Sequence, residues 1–221
     1  MNESRIAPDR DTLNQQMLNR AYARWAPIYD VVFGAVFDQG RKASIAAAEK
    51  IGGRILDVGI GTGISLLDFS PGNRIVGVDI SEPMLRRARK RAIEAGLANV
   101  ECLAVMDAER LGFPDHAFDV VVAQYVITAV PNPDATLTEF ARVTKPGGEI
   151  ILINHLGAES GLRRGFERCF APIARGLGWR PEFPFARIAH WAERAHNVDL
   201  IERRPMPPLG HFSLIRLGKR A

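Results

Sequence analysis

Three alternate glycines and two carboxylates mark the part of the chain where chemistry is most readily expected. Gly59, Gly61 and Gly63 form a turn after a short apolar run, and Asp79 ends the next apolar run. Glycine removes side chains where the backbone bends sharply or approaches a ligand closely. A dinucleotide-binding loop has the spacing G-x-G-x-x-G, but isoleucine occupies the sixth position here. Asp57, just before the turn, would also repel a phosphate, whereas it suits a ligand that carries a cationic amine.

An S-adenosylmethionine site fits these residues better than a phosphate cradle. A strand, a G-x-G-x-G turn with a nearby carboxylate, and a second acid for ribose hydroxyls together describe such a site. The order of these features along the chain therefore predicts this cofactor, with S-adenosylhomocysteine as the product.

The same residues resemble the first motif of class I S-adenosylmethionine-dependent methyltransferases. Four further segments resemble later motifs in the family's order: 77–81 with the ribose-binding acid, 105–109 with the adenine-contacting turn, 118–124 as the fourth strand, and 142–149 before the fifth. Each match alone is weak, but five in order over residues 52–154 are specific. The resemblance implies that the cofactor is bound by Tyr29, Asp57, Gly59, Gly61, Gly63, Asp79, Ile80, Met84, Met106, Asp107, Ala108 and Gln124.

Strands and helices are predicted to alternate over most of the chain, which indicates a parallel sheet with helices on both faces. Ligands of such sheets bind outside the carboxyl ends of the strands. The resemblance completes an α/β, Rossmann-like sheet of seven strands, mostly parallel with the last strand antiparallel. The predicted strands are 54–58, 74–79, 99–105, 118–124, 148–154, 198–204 and 211–217. The predicted helices are 39–50, 63–70, 82–95, 134–143, 155 to about 176, and 186–195.

The first 37 residues are predicted to form a helical cover ahead of a methyltransferase domain at 38–221. Residues 11–26 repeat apolar side chains at helical spacing, Pro27 interrupts, and residues 28–37 are mostly apolar. Such a segment commonly covers the sheet core, and it can also lie in a membrane interface. A secretory signal and an apolar run of about 18 residues are not recognised in the sequence.

Composition favours one folded domain without a metal or a disulfide framework. Of the 221 residues, 47% are apolar and two are cysteine, and the five histidines lack paired ligand spacing. The net charge is +4, but residues 155–221 hold twelve basic and six acidic side chains. This excess indicates an anionic substrate or surface, or an ordinary basic face. Because the basic residues are scattered, nucleic acid is not expected as a partner, and no obligate protein partner is predicted.

The chain's only tyrosines are Tyr22, Tyr29 and Tyr125. Two lie on the predicted cover and the third follows the fourth strand, where a tyrosine ring and hydroxyl could stabilise a developing ammonium ion. The alternative is that they pack the cover onto the core. His155, directly after the fifth strand, is predicted to act as a base near neutral pH, or else to bond the backbone of its loop.

Three further side chains in the basic segment could bind a substrate phosphate: Arg187, His211 and Arg216. Each alone is more readily explained as a surface charge, but at least one of the three is expected to be functional. The run of arginine and lysine at 86–91 is interpreted as a solvated helix face rather than a phosphate contact.

The whole chain resembles the bacterial, soluble-type phosphatidylethanolamine N-methyltransferases. The resemblance rests on residues 22–30, 153–155 and 176–184. It implies three successive methylations of the ethanolamine headgroup to phosphatidylcholine by a cytoplasmic protein that docks peripherally on the anionic inner face of the membrane. The alternative is the ubiquinone/menaquinone C-methyltransferases, which share the Tyr-Asp at 29–30 and the cofactor motifs. A non-catalytic cofactor-binding protein that docks on membranes is a second alternative.

Overall fold

The predicted strands assemble into a single seven-stranded sheet in the order β3-β2-β1-β4-β5-β7-β6. The computed structural model describes residues 37–156, 183–207, 210 and 212–221. The strands are β1 Arg54–Val58, β2 Arg74–Asp79, β3 Val100–Val105, β4 Phe118–Gln124, β5 Thr144–His155, β6 Val198–Met206 and β7 Phe212–Lys219. The first five are parallel, and β7 runs antiparallel to both β5 and β6. The predicted fold class is therefore confirmed.

In the described residues four α-helices accompany the sheet: α1 over 37–49, α2 Glu82–Glu94, α3 Pro133–Val143 and α4 Phe185–Ala195. Local chemistry explains where they begin. Proline stands in the first turn of α2 and of α3, where its missing N–H is not needed. The Asn132 side chain caps α3 by accepting the Ala135 N–H at 3.2 Å.

The helix predicted over 63–70 was wrong in extent. Only a single 3₁₀ turn forms, from Ile64 to Leu67. Pro71 and Gly72 follow closely, and proline disfavours helical backbone in the residue before it. The fifth strand also begins earlier than predicted, at Thr144, because its pairing with β4 continues past a register shift.

Two apolar cores cover the two faces of the sheet. The helices α1 and α2 pack on one face, through Ile45, Ala48, Leu85 and Ala88. The helices α3 and α4 pack on the other, through Leu137, Phe140, Ile188 and Trp191. Residues 120–123 of β4 are fully buried, as expected for a central strand covered on both faces.

The carboxyl ends of the parallel strands meet at one side of the sheet, here called the carboxyl edge. Val58, Asp79, Val105, Gln124 and His155 are the last residues of these strands. Because β7 is antiparallel, it begins at this edge, where Phe212 pairs with His155. The predicted cover up to residue 36, and with it Tyr22 and Tyr29, lies outside the described residues, as do His211 and residues 157–182.

Candidate active site

The three glycines of the turn after β1 have different surroundings although all adopt positive φ angles, of 69°, 58° and 75°. A Cβ on Gly59 would lie 2.2 Å from the Val126 side chain, and one on Gly63 would lie 2.8 Å from the Ala88 Cβ. A Cβ on Gly61 would meet no other described atom within 4 Å. Gly59 and Gly63 therefore permit packing inside the protein, whereas Gly61 turns its α-carbon toward open space, where a ligand can approach.

The carboxylate of Asp79 is held in place by the backbone around it. One oxygen accepts the Gly61 N–H and the other accepts the Ser81 N–H, each at 2.8 Å. Burial raises the pKa of Asp79, and these backbone hydrogen bonds oppose that rise. Each carboxylate oxygen keeps a lone pair for a further donor. This geometry suits the two hydroxyls of a ribose, as predicted.

Asp57 lies fully buried on β1, with its carboxylate accepting the Ser65 hydroxyl at 2.7 Å. Burial raises the pKa of Asp57 to about 7; the Ser65 hydrogen bond opposes this shift and the charge of Asp79 adds to it. A buried carboxylate poised in this way favours a nearby cation. Ser65 is a supporting residue that sequence reasoning missed, because its role depends on the turn bringing it back to the strand.

Apolar side chains line the carboxyl edge beside these acids. Ile80 and Val105 follow and end neighbouring strands, and 48% and 50% of their surfaces are exposed. They provide a surface on which a flat base can stack. Val105 begins the segment 105–109 that resembles the adenine-contacting turn, although it was not among the individual residues predicted to bind the cofactor.

The remaining predicted cofactor residues surround this surface in different ways. The Met106 N–H donates to the Asp79 carbonyl at 3.1 Å, which fixes the turn after β3 against β2. Asp107 is exposed, and its carboxylate accepts the Glu109 N–H at 2.9 Å. Met84 is buried in the first turn of α2, and Ala108 packs on the core. Met84 and Ala108 thus have evident packing roles, and a direct contact with the cofactor stays a prediction.

Gln124 lies at the carboxyl edge, but its side chain forms a hydrogen bond within the protein. Its amide donates to the Ser44 hydroxyl at 3.0 Å, and Ser44 in turn donates to the Arg41 carbonyl in α1. This chain of hydrogen bonds joins β4 to α1. A cofactor contact by Gln124 could use its amide oxygen or the second N–H of its amide.

Tyr125 packs in an aromatic cluster directly after β4. Its ring centroid lies 4.3 Å from that of Phe37 and 5.5 Å from that of Phe212. The hydroxyl donates to the Phe37 carbonyl at 3.0 Å, and burial raises its pKa, so that it keeps its proton. The backbone is left-handed, with φ 63°. These contacts favour the packing alternative for Tyr125, which anchors the start of α1; contact with a substrate cation stays a prediction.

His155 joins the same cluster from the end of β5. It is half-buried, and its ring lies edge-on to Phe212 with centroids 6.0 Å apart. The predicted base therefore lies at the carboxyl edge beside Tyr125.

The two described arginines predicted to bind phosphate lie on opposite faces of the sheet. Arg187, in the first turn of α4, donates to Asp134 at 2.9 Å. Arg216 donates with two nitrogens to Glu149, at 2.9 and 2.8 Å, and also pairs with Glu202. Its position four residues into β7 puts it about 13 Å from the carboxyl edge. The assignment of Arg216 to substrate phosphate is therefore corrected: it is an internal ion-pair residue.

This arrangement matches a known family in sequence and in fold. Residues 56–152 match the family model described as "Methyltransferase domain". The chain is 38% identical over 203 residues to the phosphatidylethanolamine N-methyltransferase of Cereibacter sphaeroides, covering 92% of this chain and 98% of that protein. The chain belongs to the S-adenosylmethionine-dependent methyltransferases.

Two further similarities place this methyltransferase among its relatives. It is 28% identical over 197 residues to the ubiquinone/menaquinone biosynthesis C-methyltransferase UbiE of Cupriavidus necator, covering 84% of this chain and 80% of that one. The YcgJ protein from Bacillus subtilis shares the fold, with a TM-score of 0.68 at 22% identity over 82% of this chain and 98% of that chain.

The residues of this methyltransferase fit S-adenosylmethionine. Asp57 suits the cationic part of the cofactor, Asp79 the ribose, and Ile80 with Val105 the adenine. When bound, the cofactor supplies a methyl group that its sulfonium already activates toward a nucleophile. Within the described ranges, no cluster of three or more potential metal ligands occurs and no helix is long and apolar enough to cross a membrane.

Proposed function

We propose that this methyltransferase acts on the amine of phosphatidylethanolamine and on its mono- and dimethyl forms, giving phosphatidylcholine. The observation that carries the proposal is the similarity to the Cereibacter sphaeroides enzyme, which extends over most of the chain and not only over the cofactor-binding strands. The cofactor motifs are common to many methyltransferases with other acceptors, so they do not by themselves select a substrate.

The amine must be neutral when it attacks, because only a neutral nitrogen has a lone pair. The new N–C bond forms as the C–S bond of the cofactor breaks, and sulfur keeps the bonding pair as a thioether. Through the first two transfers the product nitrogen then releases a proton. His155, half-buried at the end of β5, is the proposed acceptor of this proton. The lipid phosphate is the competing acceptor.

A phosphodiester next to the amine requires a cation at the carboxyl edge. Arg187 is the described candidate, since α4 begins at that side of the sheet, before the chain returns along β6. Its partner Asp134 also binds Arg194, at 3.2 Å, and so would stay neutralised if Arg187 turned toward a phosphate. His211 stays a second candidate.

The substrate lies in a membrane, so the enzyme must reach a lipid surface. The predicted N-terminal segment 1–37 and the basic excess of residues 155–221 support peripheral docking on the anionic inner face of the cytoplasmic membrane. Vesicles containing anionic lipid should recruit the protein, more weakly at high salt. Equal recruitment after deletion of residues 1–37 would move the membrane contact to the basic segment.

The decisive experiment is incubation of the purified protein with labelled S-adenosylmethionine and vesicles containing phosphatidylethanolamine. Chromatography should show monomethyl, dimethyl and trimethyl lipids appearing in that order. A variant with Asp79→Ala, assayed in parallel, controls for contaminating methyltransferases.

Other outcomes would favour the alternatives. If label appeared in a demethylated quinone but in no phospholipid, the chain would be assigned to the C-methyltransferases. The similarity to the Cupriavidus necator enzyme supports this alternative. Cofactor binding without transfer to either acceptor would support a non-catalytic docking protein.

A further inference from the structure

Arg91 differs from the other basic side chains of the run at 86–91 on α2. The sequence predicts a solvated helix face for this run, and four of its basic residues are exposed: Arg86, Arg87, Arg89 and Lys90. Arg91 is half-buried, and its guanidinium contacts the glycine turn after β1. One member of the run thus has different surroundings from the rest.

Two hydrogen bonds join Arg91 to Thr62, which lies between Gly61 and Gly63 in the turn. The Arg91 Nη1 donates to the Thr62 carbonyl at 2.5 Å and to the Thr62 hydroxyl at 3.1 Å. Thr62 is buried, with 8% of its surface exposed. A hydrogen bond from a charged donor is stronger than one between neutral groups. Arg91 therefore holds the backbone of the turn itself.

The preceding residues of the turn are held by the end of β2. The Gly59 and Ile60 N–H groups both donate to the Val78 carbonyl, at 2.8 and 3.1 Å. The Gly61 N–H donates to the Asp79 carboxylate. The strand β2 and the helix that follows it therefore hold the turn from its first glycine to Thr62.

The packing of α2 on the turn does not depend on the guanidinium of Arg91. Ala88 lies one helical turn before Arg91, on the same face of α2. A Cβ on Gly63 would lie 2.8 Å from the Ala88 Cβ, so the helix packs directly on the last glycine. Replacement of Arg91 would therefore leave this apolar contact in place and remove the hydrogen bonds to Thr62.

A turn built on glycine needs such hydrogen bonds because glycine has little conformational preference. Gly61 has a φ of 58°, and glycine adopts negative φ angles about as readily. The Gly61 N–H and the Thr62 carbonyl belong to the two peptide groups on either side of the Gly61–Thr62 peptide. Fixing both limits the rotation of the backbone between them. Without one of these contacts, the turn would have to be ordered when the cofactor binds, which reduces affinity.

We infer that Arg91 is a positioning residue for S-adenosylmethionine. By holding the Thr62 carbonyl, it keeps the turn in the conformation in which Gly61 is open to the ligand and its N–H orients Asp79 toward the ribose. Arg91 acts through Thr62 and not by touching the cofactor. This role concerns the cofactor alone, so it is independent of the proposed lipid substrate.

The test compares Arg91→Met with Arg87→Met. Methionine keeps the apolar part of the arginine side chain and removes its donors. Arg87 is exposed on the same helix, so its variant reproduces the loss of one positive charge. In calorimetric titrations, Arg91→Met should raise the Kd of S-adenosylmethionine and of S-adenosylhomocysteine about 5- to 30-fold. Arg87→Met should bind both with wild-type affinity.

Hydrogen exchange gives a second measurement, which needs no ligand. In cofactor-free Arg91→Met, the Gly61 amide should exchange about 10-fold faster than in wild type. The increase should exceed that of amides in α3, which lies on the other face of the sheet. An equal increase at both places would indicate a general loss of stability and would overturn the positioning role.

Arg91→Lys covers the case in which the methionine protein does not fold. Lysine keeps the charge but lacks the guanidinium geometry, so the Kd of the cofactor should rise about 2- to 5-fold. Wild-type affinity in every folded variant of Arg91 would overturn the role, because Arg91 would then only stabilise the last turn of α2. An equal loss of affinity in Arg87→Met would also overturn it, since charge and not contact would be the cause. Absence of wild-type turnover of any phospholipid would overturn the proposed function alone.

Discussion

The carboxyl edge has two halves that are built differently. Beside β1 and β2, the protein's own backbone pairs the polar groups: Asp79 accepts two N–H groups, and Asp57 accepts the Ser65 hydroxyl. Beside β4 and β5, the rings of Phe37, Tyr125 and Phe212 pack together, and His155 lies edge-on to Phe212. The cofactor half is thus preorganised by local hydrogen bonds, whereas the half beside β4 and β5 is held mainly by aromatic packing in the described ranges.

The largest effect is expected where the cofactor half opens toward the ligand. Gly61→Val should reduce cofactor affinity by more than about 100-fold, because a branched side chain would occupy the open space above Gly61 at a φ of 58°. Calorimetric titration measures the affinity, and denaturation should still be cooperative.

Gly63→Val is the matched control, because its Cβ would lie 2.8 Å from Ala88 inside the protein. It should lower the free energy of unfolding by about 1–3 kcal/mol more than Gly61→Val does. If Gly61→Val bound the cofactor normally, the turn would not be the ligand's closest approach.

The second-largest effect is expected on cofactor affinity when Asp79, the predicted ribose contact, is replaced. Asp79→Ala should weaken cofactor binding by about 1.5–3 kcal/mol, the range for a lost charged hydrogen bond. Asp119→Ala is the control, since Asp119 accepts the Arg54 N–H and the Lys145 ammonium at the other end of β4. The control should lose stability but keep its affinity. Calorimetry that gave equal affinities for Asp79→Ala and wild type would remove the ribose assignment.

The pH dependence of Asp57 sharpens the comparison further. Its pKa in the folded protein, about 7, lies above the ordinary value of 3.8. Because folding raises this pKa, the protonated carboxyl stabilises the folded, cofactor-free protein. This stabilisation is fully present below about pH 4 and is lost as the pH rises through 7. Thermal midpoints measured from pH 4 to 8 should show this loss in wild type, and Asp57→Asn should lack it.

Cofactor binding should have the opposite dependence, because the ionised carboxylate attracts the cation. Affinity should rise between about pH 6 and 8 in wild type and stay nearly constant in Asp57→Asn. The proton released by Asp57 can be counted by calorimetry in buffers of different ionisation enthalpy. A wild-type affinity that did not vary with pH would exclude a contact between Asp57 and the cationic group.

The smallest expected effect is on the KM for phospholipid, and it distinguishes Arg187 from Arg216. Arg187→Ala should raise the KM for phospholipid about 3- to 10-fold with little effect on stability, because its ion pair with Asp134 is partly exposed. Arg216→Ala should leave KM unchanged and lower the free energy of unfolding by about 1–3 kcal/mol, since Glu149 would lose its bidentate partner. The reverse pattern would restore Arg216 as the phosphate ligand.

Most of the sheet was predictable from the sequence because its signals are local. Strands β1, β2 and β4 have the predicted bounds, since apolar runs bounded by glycine or acidic residues mark a buried parallel strand. The glycine turn and Asp79 were predictable for the same reason: a cofactor loop and the acid of the next strand are separated by a short stretch of chain. The fold class and the cofactor follow from these local patterns.

The roles of Arg216 and Tyr125 depend on contacts between residues far apart in the chain. Arg216 and Glu149 are 67 residues apart, and antiparallel pairing of β7 with β5 brings them together on one face. Tyr125 reaches the Phe37 carbonyl across 88 residues. Residue type and spacing show which groups can ionise or bond. The register of the sheet and the packing of the helices decide which of them face a partner and which are buried without one, and these are properties of the whole fold.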